Sequence, residues 1–182
     1  MYNTQKQTCR CKWRLFSVFA VLAAVAMLAA GCGYRLAGGG SLPGDVRRIA
    51  VETFTNRTGE IGIEAVITND ILYEITRTDK ATISDKNRAD AVLTGVIRSA
   101  RSSSISHSAA HETSEERVTV VVDVRLVSTG GETLWSASGI SASEEYAVAG
   151  DNMGTEQNKK SAVAKLSGRL AQRIYYRMTD DF

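Results

Sequence analysis

Two histidines, His107 and His111, stand four residues apart in the serine-rich run SSSISHSAAHE. On a helix that spacing would turn both imidazoles to one face, where they could hold a metal ion. The run has little helical periodicity and no Glu placed as a zinc hydrolase would need it. The competing reading is an extended, polar hairpin between two strands, and the composition of the run favours it. With 2 His in the whole chain, a structural zinc site lacks ligands, so neither a metal nor a cofactor is expected. The carboxylate pairs Glu115-Glu116, Glu144-Glu145 and Asp180-Asp181 are adjacent in sequence. Neighbours on a strand face opposite sides and cannot share a substrate proton, so these pairs read as solvated charge. No Gly-x-Ser-x-Gly elbow occurs. Gly38-Gly39-Gly40 precedes the first strand pattern instead of following one, which excludes a phosphate loop. Without a catalytic set, an enzyme is not expected.

The remaining chemistry is electrostatic. Between Thr155 and Met178 the basic residues are Lys159, Lys160, Lys165, Arg169, Arg173 and Arg177, against the single acid Glu156. Lys165, Arg169, Arg173 and Arg177 recur every four residues and form one stripe on a helix. One reading is a solvated face whose late arginines complement the helix dipole. The other is contact with the phosphates of anionic lipids or with an acidic partner surface.

Stepwise patterning supplies the elements that must carry these residues. Val46 to Phe54 alternates through Ile49, Val51 and Thr53 and reads as a strand, broken by Asn56-Arg57-Thr58-Gly59. Glu60 to Thr78 switches to helical period: Ile63, Ile67, Ile71 and Ile75 make the apolar stripe, and Glu64, Asp70, Glu74 and Arg77 fall outside it. Ala81 to Asp85 reads as a short extended piece and Ala89 to Ser99 as a strand. Arg117 to Ser128 points Val118, Val120, Val122, Val124 and Leu126 one way. Gly130-Gly131 signals a hairpin, and Glu132 to Ala142 returns. Thr155 to Met178 is the second helix, with Thr155 as its expected N-cap. The expected fold class is therefore α+β: a two-layer, four-stranded, mostly antiparallel sheet with two helices packed on one face, in the order β-α-β-β-β-α.

The N-terminus is patterned differently. Lys6, Arg10, Lys12 and Arg14 precede LFSVFAVLAAVAMLAA, a run of uncharged residues ending in Gly31-Cys32. A basic region, a short apolar run and small residues before a break is the layout of a secretory signal peptide. Read instead as a membrane-spanning helix, Leu15 to Ala30 would reach roughly 24 Å, short of a hydrocarbon core of about 30 Å. The expected organisation is a removed signal at 1–31, a glycine-rich tether at 32–45 and one domain at 46–182. Loss of the signal leaves 18 basic residues against 20 acidic ones. A slightly acidic, exported domain does not carry a nucleic-acid footprint. At 43% apolar and 23% charged, with 15 Gly and 1 Pro, the chain is neither collagenous, disordered nor built around a proline-rich stalk.

Leu28-Ala29-Ala30-Gly31-Cys32 resembles the lipobox of bacterial lipoproteins, with Ala29 where Leu is usual. The resemblance implies acylation of Cys32, the one Cys that would remain after cleavage, and stable anchoring through its acyl chains. Gly33 rather than Asp after the Cys matches outer-membrane sorting. Cys32-Gly33-Tyr34-Arg35-Leu36, then Leu42-Pro43, then Ile49-Ala50-Val51-x-x-Phe54-x-Asn56, together with the element order, resembles the LptE family over nearly the whole chain. That family consists of outer-membrane lipoproteins of lipopolysaccharide assembly. The resemblance implies a plug and folding partner of the LptD β-barrel translocon that also binds lipopolysaccharide. In the family, basic side chains near the central hairpin tip and in the loop before the last helix contact lipopolysaccharide. Here the corresponding positions offer His107, His111 and Arg117 at the tip, and Lys159 and Lys160 just inside the helix. Two other readings of the residues stay open: an accessory or pilot lipoprotein of another outer-membrane complex, and a lipid-surface module using the basic helix.

Overall fold

The computed structural model describes residues 41–107 and 113–180. The signal segment, Cys32, the glycine-rich stretch up to residue 40, the hairpin tip with His111, and the last two residues lie outside the described residues.

A short 3-10 turn, Pro43–Asp45, leads into β1 (Arg48–Val51) and β2 (Thr55–Asn56). Helix α1 (Ile63–Arg77) and β3 (Thr82–Ile83) follow, then the long strands β4 (Ala91–His107), β5 (Thr113–Ser128) and β6 (Thr133–Ala147), and helix α2 (Asn152–Asp180). The sheet is mixed and has six strands in the order β3-β1-β4-β5-β6, with β2 also on β4. β1 runs parallel to both β3 and β4, while β4, β5 and β6 form an antiparallel meander. The α+β class with two helices is as expected, but the four-stranded, mostly antiparallel sheet is corrected to this six-stranded mixed one.

One cause of the difference is a single aromatic ring. The strand expected over Val46 to Phe54 is interrupted after Val51, and Phe54 turns into the core at 2% exposure. Its ring lies so close over Gly95 of β4 that a Cβ built there would meet ring carbons at 2.1 Å. Thr68 of α1 holds the break: its Oγ1 accepts the Phe54 N–H at 3.1 Å and donates to the Glu64 carbonyl at 2.7 Å. Pairing to β4 resumes at Thr55 opposite Val96. Asn56 then shapes the turn, accepting the Thr58 N–H at 2.8 Å and donating to the Glu60 carbonyl at 2.7 Å. Asp79 and Gly62 bracket α1 with positive φ angles.

The meander strands also run further than their apolar alternation. β4, read from the sequence as ending at Ser99, continues to His107, because Arg101 to Ser104 stay paired to β5 while their side chains are exposed. α2 starts at Asn152, and its N-cap is Asp151 rather than Thr155: Asp151 Oδ1 accepts the Gly154 N–H at 2.6 Å. Thr155 Oγ1 instead accepts the Ala149 N–H at 3.0 Å, tying the preceding loop to the helix.

One face of the sheet carries the core. Val118, Val120, Val122, Val124 and Leu126 of β5 meet Ile67, Ile71 and Ile75 of α1 and Leu166, Leu170 and Ile174 of α2. Leu42 and Val46, at 2% and 4% exposure, close one end of it. Because α1 packs against α2 as well as the sheet, its buried surface is wider than the isoleucine stripe. Glu74, read from the sequence as outside that stripe, is 3% exposed and held by Arg77 at 2.5 Å.

Asp90, just before β4, fastens the start of β1 to it. Its carboxylate accepts from Arg48 Nη2 at 2.7 Å and from the backbone N–H groups of Arg48 and Arg47 at 2.9 and 3.2 Å. The Arg48 side chain, followed by the Arg48 N–H, lowers the Asp90 pKa to about 2. An unfolded Asp titrates near 3.9, so this contribution is complete above about pH 4 and disappears as pH falls to about 2. Thermal midpoints of the wild type should therefore fall more steeply below pH 4 than those of Asp90→Asn. Parallel curves would remove Asp90 from the acid response.

Candidate functional site

The basic stripe of α2 lies along the free edge of β6, the terminal strand of the sheet. Arg169 Nη2 donates to the Ser143 carbonyl at 2.6 Å, and Arg173 Nη1 donates to the Ser141 carbonyl. Glu144 receives Arg169 and, at 3.9 Å, Lys165. Asn158 Nδ2 donates to the Ala147 carbonyl at 2.9 Å. The spacing has a simple cause. Four helical residues advance about 6 Å, and two strand residues advance about 6.7 Å. Arginines at i and i+4 therefore meet successive carbonyls on the open side of the strand. An uncapped edge of this length is a template for intermolecular pairing, and three members of the stripe, Lys165, Arg169 and Arg173, are turned onto it. Arg177 lies in the last turn and is exposed.

The hairpin end of the sheet and the start of α2 carry the other residues singled out by sequence. His107 pairs through its backbone with Thr113, and Glu115 with Ala147, so β4, β5 and β6 meet there. Arg117 is paired to Glu145 at 2.6 Å. Nearby, Tyr146 Oη bonds Ser102 Oγ at 2.8 Å and donates to Glu116. Burial, then the Glu116 carboxylate, pushes the Tyr146 phenol up. Lys159 is half-buried against Glu60, whereas Lys160 is exposed beside a groove of about 290 Å³ that includes Ile61, Val66 and Val163. Arg117, Lys160 and Arg177 are thus not gathered into one pocket, and of His107 only the backbone pairing is described. Among the described residues no cluster of three or more metal-ligating side chains occurs.

The face of the sheet turned away from the helices carries a set that sequence inspection missed. Thr55, Arg57, Thr94, Arg98, Asp123, Arg125, Ser136 and Ser138 border a concavity of about 450 Å³. Arg98 Nε donates to Asp123 Oδ2 at 2.6 Å, and the Gly139 N–H donates to Asp123 Oδ1 at 2.9 Å. The Gly139 N–H and then Arg98 hold the Asp123 carboxyl below the usual range. The three arginines come from β2's end, β4 and β5, so no local motif announces them. For Arg98 and Arg125 the available signal was their placement opposite the apolar residues of their strand patterns, and Arg57, in the break after the first strand, offered none.

A family model described as LptE, Lipopolysaccharide-assembly, matches residues 46–178. The chain belongs to the LptE family. The match includes all six strands, α1 and nearly all of α2, so the LptE family accounts for the whole domain rather than one motif. Comparison with curated proteins finds no match. Among solved structures, lipoprotein B from Nitrosomonas europaea is 17% identical, with 81% of this chain and 90% of that one covered and a TM-score of 0.53. A minor lipoprotein from Acinetobacter baumannii is 14% identical, covering 74% and 92%, with a TM-score of 0.52. The rare lipoprotein B from Shewanella oneidensis is 16% identical, covering 72% and 93%, with a TM-score of 0.50. At these identities the likeness is one of fold. Within the LptE domain, the hairpin end and the loop before α2 are adjacent, and Arg117 and Lys159 there are each already paired within the chain.

Proposed function

We propose that this chain is a non-enzymatic outer-membrane lipoprotein of lipopolysaccharide assembly, which seats inside a large LptD-type β-barrel and supports that barrel's folding. The observation that carries this reading is the family match across residues 46–178. The signal pattern and Cys32 supply the anchor: cleavage before Cys32 and its acylation would hold the domain at the periplasmic face of the outer membrane. Two physical features support the plug. One sheet face is left polar, bearing hydroxyls and guanidinium groups, which suits the water-filled, polar interior of a large barrel. The β4–β5 arm gives it reach, since the 17 residues of β4 span about 55 Å.

Lipopolysaccharide contact belongs to the same reading and is assigned to the hairpin end, with Lys160 and the tip histidines His107 and His111. Arg177 is assigned to the partner, because Lys165, Arg169 and Arg173 are committed to β6. Affinity capture of the full-length acylated protein from detergent-solubilised outer membranes should recover a large β-barrel protein near one-to-one, identified by mass spectrometry. Arg177→Glu should lower that recovery. Recovery of the protein alone, or with a secretin or transporter, would leave the family assignment standing and remove the barrel-plug role.

A further inference from the structure

The concavity on the uncovered sheet face has an unbalanced charge. Asp123 is the one carboxylate bordering it, and its two oxygens are already engaged by Arg98 and by the Gly139 N–H. It offsets Arg98 and leaves Arg57 and Arg125, both exposed, facing the same space. The net local charge is therefore that of two guanidinium groups. Guanidinium forks match phosphate oxygens bidentately. A phosphate monoester carries about −1.5 to −2 at neutral pH, which balances the pair where a lone carboxylate would not. Around the arginines stand the hydroxyls of Thr55, Ser136 and Ser138, which can donate to or accept from a polyol.

We propose that this concavity, built by Arg57, Arg98 and Arg125, is a binding site for a phosphate ester carried on a sugar. Arg57 and Arg125 clamp the phosphate, Arg98 is held in place by Asp123, and the strand hydroxyls receive the sugar. The site lies on the middle of β4, β5 and β6, away from the paired end of β4 and β5 at His107 and Thr113. It rests on the lipopolysaccharide-assembly reading for the source of the sugar phosphate and on geometry alone for the phosphate.

The test is calorimetric titration of the full-length acylated protein, in neutral maltoside micelles, with glucose 1-phosphate, inorganic phosphate and glucose. Glucose 1-phosphate should bind, inorganic phosphate more weakly, and glucose not at all. Arg57→Gln and Arg125→Gln should each weaken binding about tenfold. Asp123→Asn keeps an acceptor for Gly139 but removes the competing charge, so it should tighten binding severalfold. A merely structural role for the cluster would not produce that gain. Raised salt should weaken binding, as it does for exposed charge contacts. No binding by the wild type, or binding untouched by Arg57→Gln and Arg125→Gln, overturns the site. Equal affinity for inorganic phosphate overturns the sugar assignment. Barrel recovery is measured on the same variants: retention with lost phosphate binding supports a ligand site independent of docking. Loss of the barrel in variants of a protein that never binds glucose 1-phosphate would make the face a protein contact and overturn the proposal. A wild type that recovers the barrel but ignores the phosphate probe fails this inference and leaves the plug reading intact.

Discussion

Phe54→Ala is expected to lower the unfolding free energy by about 3–5 kcal/mol, the range for emptying an aromatic site in a packed core. Phe54 is 2% exposed, fills the interruption between β1 and β2, and lies over Gly95. Space there is limited from both sides. Gly95→Ala adds one methyl where ring carbons stand at 2.1 Å, so the ring or the strand must move, at about 1–3 kcal/mol or more. The two effects should not add. In Phe54→Ala/Gly95→Ala the new methyl enters space that the ring has vacated, and the double variant should be more stable than the sum of the single losses predicts. Urea unfolding of the four proteins provides the cycle. Additivity within about 0.5 kcal/mol would mean that the ring and Gly95 are energetically independent, contrary to their contact. The consequence extends beyond stability, because the same break aims Arg57 from the end of β2 toward the uncovered face.

Sequence pattern was sufficient where burial is periodic. β5 alternates because one face meets the helices, and α1 repeats isoleucine because its stripe meets the sheet. Pattern failed where a different constraint governs the residue. Phe54 continues a strand-like run, and only the glycine opposite, forty-one positions later, reveals why the chain leaves the ladder. The Ser102–Ser104 stretch is a strand with no apolar face, held by pairing to Val118, Arg117 and Glu116. Asp151 and Thr155 both have capping side chains, and the tertiary start of the helix decided between them. The α2 stripe was visible as a stripe, but charge periodicity does not tell whether it faces lipid, a partner or the chain's own carbonyls. The match between helix rise and strand rise becomes relevant only once β6 is known to be an edge. Arg57, Arg98 and Arg125 are brought together by strand register across three elements, which no spacing within the sequence encodes.

Because both helices cover the same face of the sheet, apolar stabilisation is concentrated in one layer, beside which the second cluster of Ala50, Ala89 and Val92 is small. Leu170→Ala is therefore expected to cost about 2–5 kcal/mol, the range for a buried leucine; Leu170 is 0% exposed and sits between the two arginines that reach β6. Removing the arginines themselves acts differently. Arg169 is 50% exposed, so solvent screening and side-chain entropy limit its contribution, and Arg169→Ala and Arg173→Ala should each cost no more than about 1 kcal/mol. Their larger effect falls on the edge: the Ser141 and Ser143 carbonyls become available to another strand. Hydrogen exchange should accelerate throughout α2 in Leu170→Ala, together with a lower urea midpoint. In Arg169→Ala/Arg173→Ala the midpoint should shift little, while sedimentation velocity detects concentration-dependent association. A double arginine variant that stays monomeric at high concentration would show that packing by Leu166 and Leu170 alone keeps the edge closed, and would release the stripe for partner contact.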